Sequence, residues 1–378
     1  MWLSAEEALA RLKVKPQTLY ANVSRGRIRA KSDPADPRRS LYRGEDVDRL
    51  AGRARGRRSA RVVASGALDW GEPVLASALS TVAGGRLYYR GQDAARLAET
   101  SSLEETASVL LDAPFDFKGS DAKPAGGSAL GRLFTALAAR AAVDPPSAGR
   151  GPFQLRQDAR DLYAGISAAL LGSGVGGLHE RLARSFGRPE AADPLRRALV
   201  LLADHELNAS TFAARIAVSV GGSLAAGALA GLATLTGSRH GNAARAVLAL
   251  AEDVAEGRGE PVDALREWLG EGRAVPGFGH PLYPEGDIRC AALLSAIEIP
   301  PEFRDLRLAG IAVLDEQPNI DFALAALSAA YGLPPEAPAT IFALARTVGW
   351  LAHMLEQAAS GALIRPRARY VGPPPTVP

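Results

Sequence analysis

The sequence predicts a mainly α-helical protein with more than one domain, and three observations carry this prediction. Apolar residues recur at spacings of three and four through most of the chain beyond residue 66, as in SLEETASVLLDA, GRLFTALAARAA and ARDLYAGISAALL. Strand-like runs are scarce, and GGRLYYRG is the clearest of them. The chain has 378 residues, of which 47% are hydrophobic, so it is long enough for two or three cores and is not wholly disordered.

The cysteine content and the apolar segments indicate the cellular compartment of the protein. Cys290 is the single cysteine, so no internal disulfide forms, and no secretory pattern opens the sequence. These features predict a protein of the reducing cytoplasm. The most apolar stretch, AVSVGGSLAAGALAGLATLTG, consists mainly of small residues that transfer weakly into hydrocarbon, which favours a buried helix over a membrane span.

Positive charge is concentrated at the N-terminal end. Residues 1–61 contain sixteen Lys and Arg against seven Asp and Glu, a balance of +9, whereas the whole chain has a net charge of +3. The remaining residues therefore carry −6. The segment GRARGRRSAR, residues 52–61, reads as a flexible basic linker, and we expect a domain boundary there.

The first 55 residues contain signals for two short helices, a hairpin and a third helix. Ser4 and Glu7 have the spacing of a capping box at a helix start. Pro16 begins a second helix, which Gly26 ends. The segments RIRAK and SLYR predict a two-stranded wing around the turn-rich SDPADPRR, and GEDVDRLAGRA predicts the third helix.

This order of elements resembles a winged helix-turn-helix of the MerR/excisionase type. The resemblance implies DNA binding, with the second helix in a major groove and the wing near phosphates. A basic helix pair that docks on protein, or a module that has lost its operator, is the alternative. The side chains implied to contact DNA are Gln17, Thr18, Tyr20, Ala21 and Arg25 of the helix and Arg38 and Arg39 of the wing.

Four segments of the remaining chain combine histidine, carboxylate or arginine with glycine and proline. They are ADHELNASTFAAR with His205, which follows Asp204 inside a helical pattern; LTGSRHGNAARAV with His240 just before a helix; RAVPGFGHPLYPEGDIRC with His280 and Arg289; and EQPNIDFALAAL with Asp321 at the start of an apolar helix. Taken singly, each feature is also compatible with an ordinary turn, N-cap or solvated side chain. Their combination is more informative.

These segments together resemble the citrate synthase family. LYYRGQDAARLAETSSLEETASVLL is similar to the family's RYRG strand, helix and SSFEEVA turn, and ADHELNASTFAAR to its DHExNASTFxAR segment. GSRHGNA stands where the family has GPLHGGAN, VPGFGHPLYPEGDIR where it has xPGFGHxVYxxxDPR, and PNIDF matches its PNVDF. The closing ARTVGWLAH and ALIRPRARYVG also match, so the resemblance runs from about residue 66 to residue 371.

The resemblance implies condensation of acetyl-CoA or propionyl-CoA with oxaloacetate, followed by thioester hydrolysis. Thioester methyl protons are weakly acidic, so a base succeeds only if the enolate oxygen is stabilised as it forms. By the resemblance, Asp321 is the base, His240 donates a hydrogen bond to the thioester oxygen, and His280 polarises the 2-oxo carbonyl. In the turn around His280, glycine allows close approach of the backbone to a ligand and proline stiffens the loop.

The resemblance further implies the ligand-binding residues, the assembly and the domains. His205, Arg289, Arg346 and Arg365 would hold the oxaloacetate carboxylates, with Arg365 reaching across the interface of a homodimer. The backbone of Val275, Pro276, Gly277, Phe278 and Gly279 would contact CoA. The implied domains are a winged helix-turn-helix domain (1–55), a basic linker (56–65), a large helical domain (66–241 and 346–378) and an inserted small helical domain (242–345) that closes over the substrates.

Two hypotheses of function follow from the sequence. In the first, the protein is an enzyme that makes citrate or 2-methylcitrate and carries a DNA-binding module. In the second, it is a transcriptional regulator whose synthase-like body senses an acyl-CoA or a dicarboxylate without turnover. No cofactor beyond the acyl-CoA substrate is expected, and the histidines lack the spacing of metal ligands.

Overall fold

The mainly helical prediction is confirmed. The computed structural model describes residues 2–33, 36–53, 75–115, 126–172, 174–237, 241, 243–256, 260–366, 368 and 370–373. Within these residues helices dominate and strands are short. The predicted basic linker, residues 56–65, lies outside the described residues.

The N-terminal elements enclose a small hydrophobic core of their own. A three-stranded antiparallel sheet has the order β1-β3-β2, and three helices pack with it. The elements are β1 (Trp2–Leu3), α1 (Ala5–Leu12), α2 (Pro16–Ser24), β2 (Ala30–Asp33), β3 (Asp36–Arg43) and α3 (Gly44–Arg53). The buried residues of this core are Leu3, Ala8, Leu19, Ile28, Tyr42 and Val47.

The helix and hairpin signals of the N-terminal segment are confirmed. Ser4 and Glu7 form both hydrogen bonds of the capping box at the start of α1. Pro16 is the first residue of α2, and Gly26 follows the helix with a φ of 65°, a conformation that favours glycine. β2 and β3 pair as the predicted hairpin, although β2 begins at Ala30 instead of Arg27.

The rest of the described chain is a helical body with one further small sheet. The strands β4 (Ser80–Ala83), β5 (Arg86–Tyr89) and β6 (Gln92–Asp93) form an antiparallel sheet in this order, so the predicted GGRLYYRG strand is present. The helices are α4 (Ala94–Thr100), α5 (Leu103–Leu111), α6 (Ala129–Val143), α7 (Pro152–Leu171), α8 (Leu178–Ser185), α9 (Ala192–Leu202), α10 (Ala209–Ser219), α11 (Leu224–Leu235), α12 (Ala243–Glu256), α13 (Pro261–Gly270), α14 (Ile288–Leu294), α15 (Pro301–Leu314), α16 (Ile320–Ala330) and α17 (Ala337–Ser360).

The long helix α17 is the centre of the body. It is buried along most of its length and contacts α5, α7, α9, α10 and α11. Gly227 and Gly231 of α11 face Met354 and Trp350 of α17 so closely that a Cβ on either glycine would overlap the facing side chain. The small residues of α11 thus allow the close helix contact that the sequence predicts.

The most apolar stretch, residues 217–237, is largely buried or half-buried, although Val220 is exposed, and it is not one helix. α10 ends at Ser219, and α11 begins at Leu224. Between them Gly221 has a φ of 85°, and the Ser223 hydroxyl caps α11 by accepting a hydrogen bond from the Ala226 N–H at 3.1 Å. Across the parts of the chain that the structure describes, no helix has the length and apolar character needed to cross a membrane.

Helices α12 to α16 pack mainly against one another. α16 contacts α12 and α14, and α15 contacts α12 and α13. α15 also contacts α2 of the N-terminal module, which we define as residues 2–33 and 36–53. The N-terminal module is therefore in contact with the helical body.

We expect Gly231→Val to destabilise the fold by about 1–3 kcal/mol, because the new side chain overpacks a full helix interface. A Cβ at this position lies 2.9 Å from the buried Trp350 ring. Chemical denaturation followed by circular dichroism measures the change. Ala233→Val, on the exposed face of the same helix, is the control. An equal loss of stability in both variants would contradict the interpretation.

Candidate active site

His205 lies in a loop, not inside a helix. The sequence pattern of residues 193–220 suggested continuous helix, but α9 ends at Leu202 and α10 begins at Ala209. Glu206 adopts a φ of 51°, and the Asn208 side chain caps α10 by accepting hydrogen bonds from two backbone N–H groups. This capped turn interrupts the helical pattern and frees His205 to point away from either helix axis.

The loop is fastened to the β4 strand. The Glu206 N–H donates to the Ser80 hydroxyl at 3.0 Å, and the Val82 N–H donates to the Glu206 carboxylate at 2.7 Å. Ser80 also donates to the buried Asp204 carboxylate. The small sheet therefore fixes the backbone on both sides of His205.

Asp204 is part of a buried polar network that the sequence analysis did not identify. His353 of α17 donates its Nε2 hydrogen to the Asp204 carboxylate at 3.1 Å, because its Nδ1 accepts from the Arg215 guanidinium at 3.2 Å. Burial opposes ionisation of Asp204, but His353 and Arg346 outweigh it and hold the pKa of this carboxyl below its usual value. The residue that precedes His205 is thus a buried, charged carboxylate.

His205, His280 and Tyr283 form a compact aromatic cluster. The rings of His205 and His280 meet edge to face with centroids 5.1 Å apart, and the Tyr283 ring lies 5.0 Å from that of His280. The Tyr283 hydroxyl forms a buried hydrogen bond of 2.9 Å with Nε2 of His205. Burial raises the pKa of Tyr283, so its hydroxyl stays protonated. Sequence reasoning missed Tyr283.

His280 is neutral, and its tautomer is defined. Its Nδ1 accepts a hydrogen bond from the Leu282 backbone N–H at 3.2 Å, so the neutral ring carries its hydrogen on Nε2. Burial lowers the pKa of His280 to about 3, and the charge of Arg289 acts in the same direction. The ring therefore offers an N–H donor at neutral pH.

A hydrogen-bonded ladder joins the loop before His280 to the turn before Asp321. The Gly279 N–H donates to the Gln317 carbonyl at 2.8 Å, and the Asn319 N–H donates to the Gly277 carbonyl at 2.8 Å. The Asn319 side chain also donates to the Gly279 carbonyl at 3.1 Å. These bonds hold the two candidate catalytic segments side by side.

Glycine is required in this loop by both conformation and space. Gly277 and Gly279 have φ values of 84° and 65°. A Cβ at Gly277 would lie 2.7 Å from the Val247 side chain. The loop therefore packs closely against the Val247 and Phe322 side chains. The sequence analysis explained these glycines instead by close approach to a ligand, and that remains a prediction.

Asp321 occupies the first turn of α16, after the N-cap Asn319. Its Oδ1 atom is buried and has no hydrogen-bond partner among the described residues. Burial raises the pKa of Asp321 to about 7, although the positive charge of Arg289 opposes the shift. The side chain is thus a carboxylate poised to take up a proton near neutral pH.

Arg289 is held by Asp287 in a buried, two-point ion pair. The distances are 2.9 Å from Nε to Oδ1 and 2.8 Å from Nη2 to Oδ2. The Asp287 carboxylate also accepts from the Ile320 N–H at 3.0 Å, at the start of α16. Burial opposes ionisation of Asp287, but Arg289 outweighs it and lowers the pKa. One carboxylate thereby positions both Arg289 and the helix of Asp321.

Arg346 and Arg365 differ in burial, and Arg346 is almost fully buried. The Arg346 Nε donates to the Leu202 carbonyl at 2.9 Å, and burial lowers its pKa to about 10. Arg365 is exposed on the segment after α17.

His240 lies outside the described residues, so its predicted position is not tested. Gly241 is described, and its N–H donates to the Leu235 carbonyl at 2.8 Å. α12 begins at Ala243, which confirms the helix predicted to follow His240.

The segment predicted to contact CoA, residues 275–279, touches the N-terminal module. The Val275 N–H donates to the Ser24 hydroxyl at 2.9 Å. Pro276 and Gly279 are half-buried, whereas Val275, Gly277 and Phe278 are buried. Phe278 packs at 5.5 Å from the Phe322 ring of α16.

The predicted DNA-contacting residues fall into two groups. Gln17, Thr18 and Tyr20 are exposed on α2, and Arg39 is exposed on β3. Arg25 is instead ion-paired with Glu316 of the body, and Ala21 is buried, because this face of α2 packs on the body. Contact of Ala21 and Arg25 with DNA remains a prediction, and in this structure neither side chain lies on the exposed face of α2. The side chain of Arg38 lies outside the described part of the molecule.

Among the residues that the structure describes, no group of three or more His, Cys, Asp or Glu side chains has the arrangement of a metal site. The candidate active site contains a neutral histidine donor, a carboxylate with a raised pKa, and two buried arginines.

Comparison with solved structures defines the fold class. The citrate synthase of Thermotoga maritima superposes with a TM-score of 0.65 and 26% sequence identity, over 82% of this chain and 96% of that one. The protein therefore has the helical fold of the citrate synthases.

Sequence comparison identifies the family. The family described as "Citrate synthase, C-terminal domain" matches residues 175–367. A citrate synthase of Haloferax volcanii is 37% identical over 191 residues, 48% of this chain and 50% of that protein. A 2-methylcitrate synthase of Mycobacterium tuberculosis is 34% identical over 217 residues, 53% of this chain and 54% of that protein. The chain belongs to the citrate synthase family, and it spans about half the length of these curated relatives.

We expect Tyr283→Phe to lower the free energy of unfolding by about 1–2 kcal/mol, because it removes a buried hydrogen bond to His205 while keeping the ring. Urea denaturation at pH 7 measures the change. Tyr331→Phe at the end of α16 is the control, since this half-buried tyrosine lies outside the cluster. Equal stability of Tyr283→Phe and the parent would contradict the role assigned to this hydrogen bond.

Proposed function

We propose that the protein condenses an acyl-CoA with oxaloacetate and then hydrolyses the thioester, to give citrate or 2-methylcitrate and free CoA. Membership of the citrate synthase family supports this reaction class. The observation that carries the proposal is the ladder between residues 277–279 and 317–319, which sets the neutral His280 beside the start of the Asp321 helix.

Asp321 is the general base of the proposed reaction. With a pKa of about 7, its carboxylate has a basicity matched to work at neutral pH. It removes a proton from the carbon next to the thioester carbonyl, and the enolate oxygen accepts a hydrogen bond from His240. His280 donates its Nε2–H to the 2-oxo carbonyl oxygen, where negative charge develops as the new carbon–carbon bond forms. Water then cleaves the resulting thioester and releases CoA as the thiol.

The oxaloacetate carboxylates pair with arginines. We assign Arg289 and Arg346 to this role because both guanidinium groups are buried, and that of Arg289 lies 5.0 Å from the Tyr283 ring of the aromatic cluster. His205 adds a hydrogen bond, and Tyr283 holds its ring. No cofactor beyond the acyl-CoA substrate takes part in these steps.

A homodimer supplies the remaining arginine. Arg365 is exposed after α17, as expected for a side chain that reaches into the site of another protomer. Ile216 of α10 and Val220, just after this helix, are exposed apolar residues, and the Ser147 N–H bonds to the carbonyl of the neighbouring Gly221. Such exposed apolar side chains fit a subunit interface.

The acyl-CoA is held by the backbone of Val275 to Gly279. We assign residues 66–241 and 346–378 to a large domain and residues 242–345 to a small domain, whose closure excludes water before proton transfer. Acetyl-CoA and propionyl-CoA are both candidates, since one methylene changes pocket affinity by only about 1–3 kcal/mol. The single cysteine, Cys290, is buried and free, which fits a reducing cytoplasm.

We expect Asp321→Asn to lower the rate of thiol release about 10²- to 10⁴-fold, since an amide cannot serve as the base. The assay mixes acetyl-CoA or propionyl-CoA with oxaloacetate and measures free thiol. Asp315→Asn, at an exposed carboxylate before the same turn, is the matched control. Thiol release at the parent rate in Asp321→Asn would contradict the assignment.

The pH profile of the parent tests the same residue. Because Asp321 acts as the ionised base, kcat/KM should fall about tenfold per pH unit below pH 7 and level off above it.

The regulator alternative predicts acyl-CoA binding without thiol release at any pH. The raised pKa of Asp321 and the donor tautomer of His280 favour the enzyme, because a sensor needs neither property.

We further propose that the N-terminal module is a winged helix-turn-helix of the MerR/excisionase type that binds DNA. The order of α1, α2, the β2–β3 hairpin and α3 supports this assignment. Residues 1–61 carry a charge balance of +9, and Gln17, Thr18 and Tyr20 present an exposed polar face on α2. Arg38 and Arg39 belong to the hairpin that would lie near phosphates.

We expect Arg39→Ala to weaken binding to a random-sequence duplex and to lower the slope of log K against log salt by about 1, because one phosphate contact is lost. Gel shifts at several salt concentrations measure both quantities. Arg266→Ala, at an exposed arginine of α13, is the control. A parent protein that retains no duplex at low salt would overturn the DNA proposal.

A further inference from the structure

Ser24, the last residue of α2, and Arg25, which follows it, fasten the N-terminal module to the helical body. The buried Ser24 hydroxyl accepts from the Val275 N–H at 2.9 Å and lies 3.4 Å from the Val275 carbonyl. Arg25 forms an ion pair with Glu316, in the turn after α15. α2 also packs on α15. We call these interactions the α2 contact.

The α2 contact occupies the loop proposed to bind acyl-CoA. One side of this loop, Gly277 and Gly279, is bonded to residues 317–319. The polar groups of Val275 are bonded to Ser24. Arg25 and Glu316 lie so close to Gly279 that a Cβ there would overlap both. An incoming acyl-CoA therefore meets a loop that α2 already covers.

The same contact withdraws Arg25 from the surface of α2. Gln17, Thr18 and Tyr20 remain exposed, but Ala21, Ser24 and Arg25 face the body. A major groove that accepts α2 up to Arg25 needs this face free. The Arg25 Nε is buried without a hydrogen-bond partner among the described residues, so docking leaves a donor unsatisfied and favours release of the contact.

We propose that acyl-CoA and DNA compete with the α2 contact and therefore promote each other's binding. This inference rests on the two activities proposed above. Either ligand requires α2 to leave the 275–279 loop, so each one shifts the population toward the released state that the other binds. The protein would thus couple the supply of acyl-CoA to the availability of its DNA-binding face.

Release of α2 should be visible in the affinity for acetyl-CoA alone. We expect Glu316→Gln and Ser24→Ala each to tighten acetyl-CoA binding about 5- to 10-fold, measured by isothermal titration calorimetry on the full chain without DNA. Asp315→Asn removes the neighbouring negative charge without touching Arg25, so it controls for simple attraction of the CoA phosphates. Ser24→Ala changes no charge at all.

The coupling itself is measured with a fluorescent random-sequence duplex at low salt. Saturating acetyl-CoA should tighten duplex binding by the parent about 5- to 10-fold, by Asp315→Asn equally, and by Glu316→Gln by less than twofold. Hydrogen exchange of residues 21–25 in the parent should rise when acetyl-CoA is added without DNA.

The outcomes separate this inference from the proposed function. Equal acetyl-CoA affinity in the parent, Glu316→Gln and Ser24→Ala overturns the inference and leaves the condensation standing. Duplex binding that acetyl-CoA does not change overturns it as well. If acetyl-CoA binds neither the parent nor the two variants, the acyl-CoA function and the inference are both overturned. If the duplex binds neither the parent nor any variant, the DNA function and the coupling are both overturned.

Discussion

The geometry of the candidate active site depends on the Asp287 carboxylate. It neutralises the buried Arg289 through two hydrogen bonds and accepts the N–H of Ile320 where α16 begins. A buried charge pair contributes little net stability by itself, because desolvation of both ions offsets their attraction. Its value here is positional, since losing the carboxylate would leave Arg289 uncompensated and remove an anchor of the Asp321 helix.

Near Asp287, the protein environment shifts the pKa values of His280 and Asp321 in opposite directions. Burial lowers the pKa of His280 to about 3 and raises the pKa of Asp321 to about 7, so the uncharged form of each group is favoured. Asp287 and Asp204 remain ionised because each has a cationic or hydrogen-bonding partner. The site thereby combines fixed negative charges, which orient other side chains, with a carboxylate that is able to exchange its proton.

The sequence was sufficient for features that are set locally. The capping box of Ser4 and Glu7, the glycine turn before His280 and the start of the apolar helix at Asp321 are each encoded within a few residues. Helical periodicity also predicted the fold class, but it ran through residues 203–208, where a capped loop carries His205. The polar capping residues within this segment could have indicated the loop. The helical spacing of the apolar residues on both sides obscured that signal.

Features that depend on distant parts of the chain were not predicted. Tyr283 became part of the site only because the loop of His205 folds onto it, and Arg25 changed from a predicted DNA contact to an ion pair because Glu316 lies opposite. Asp204 needed His353, which follows it by 149 residues. No spacing rule in a single sequence encodes such pairings, since they arise from helix packing. The catalytic and binding roles assigned to the site residues, including His240 and Arg365, remain predictions.

The half-protonated state of Asp321 has a thermodynamic consequence. At pH 7 a carboxyl group with a pKa of about 7 exists as two populations of similar size, and a ligand that binds one of them better must exchange protons with the solvent. The heat of substrate binding then contains the ionisation enthalpy of the buffer. Calorimetry in buffers of different ionisation enthalpy would report how many protons the site takes up or releases.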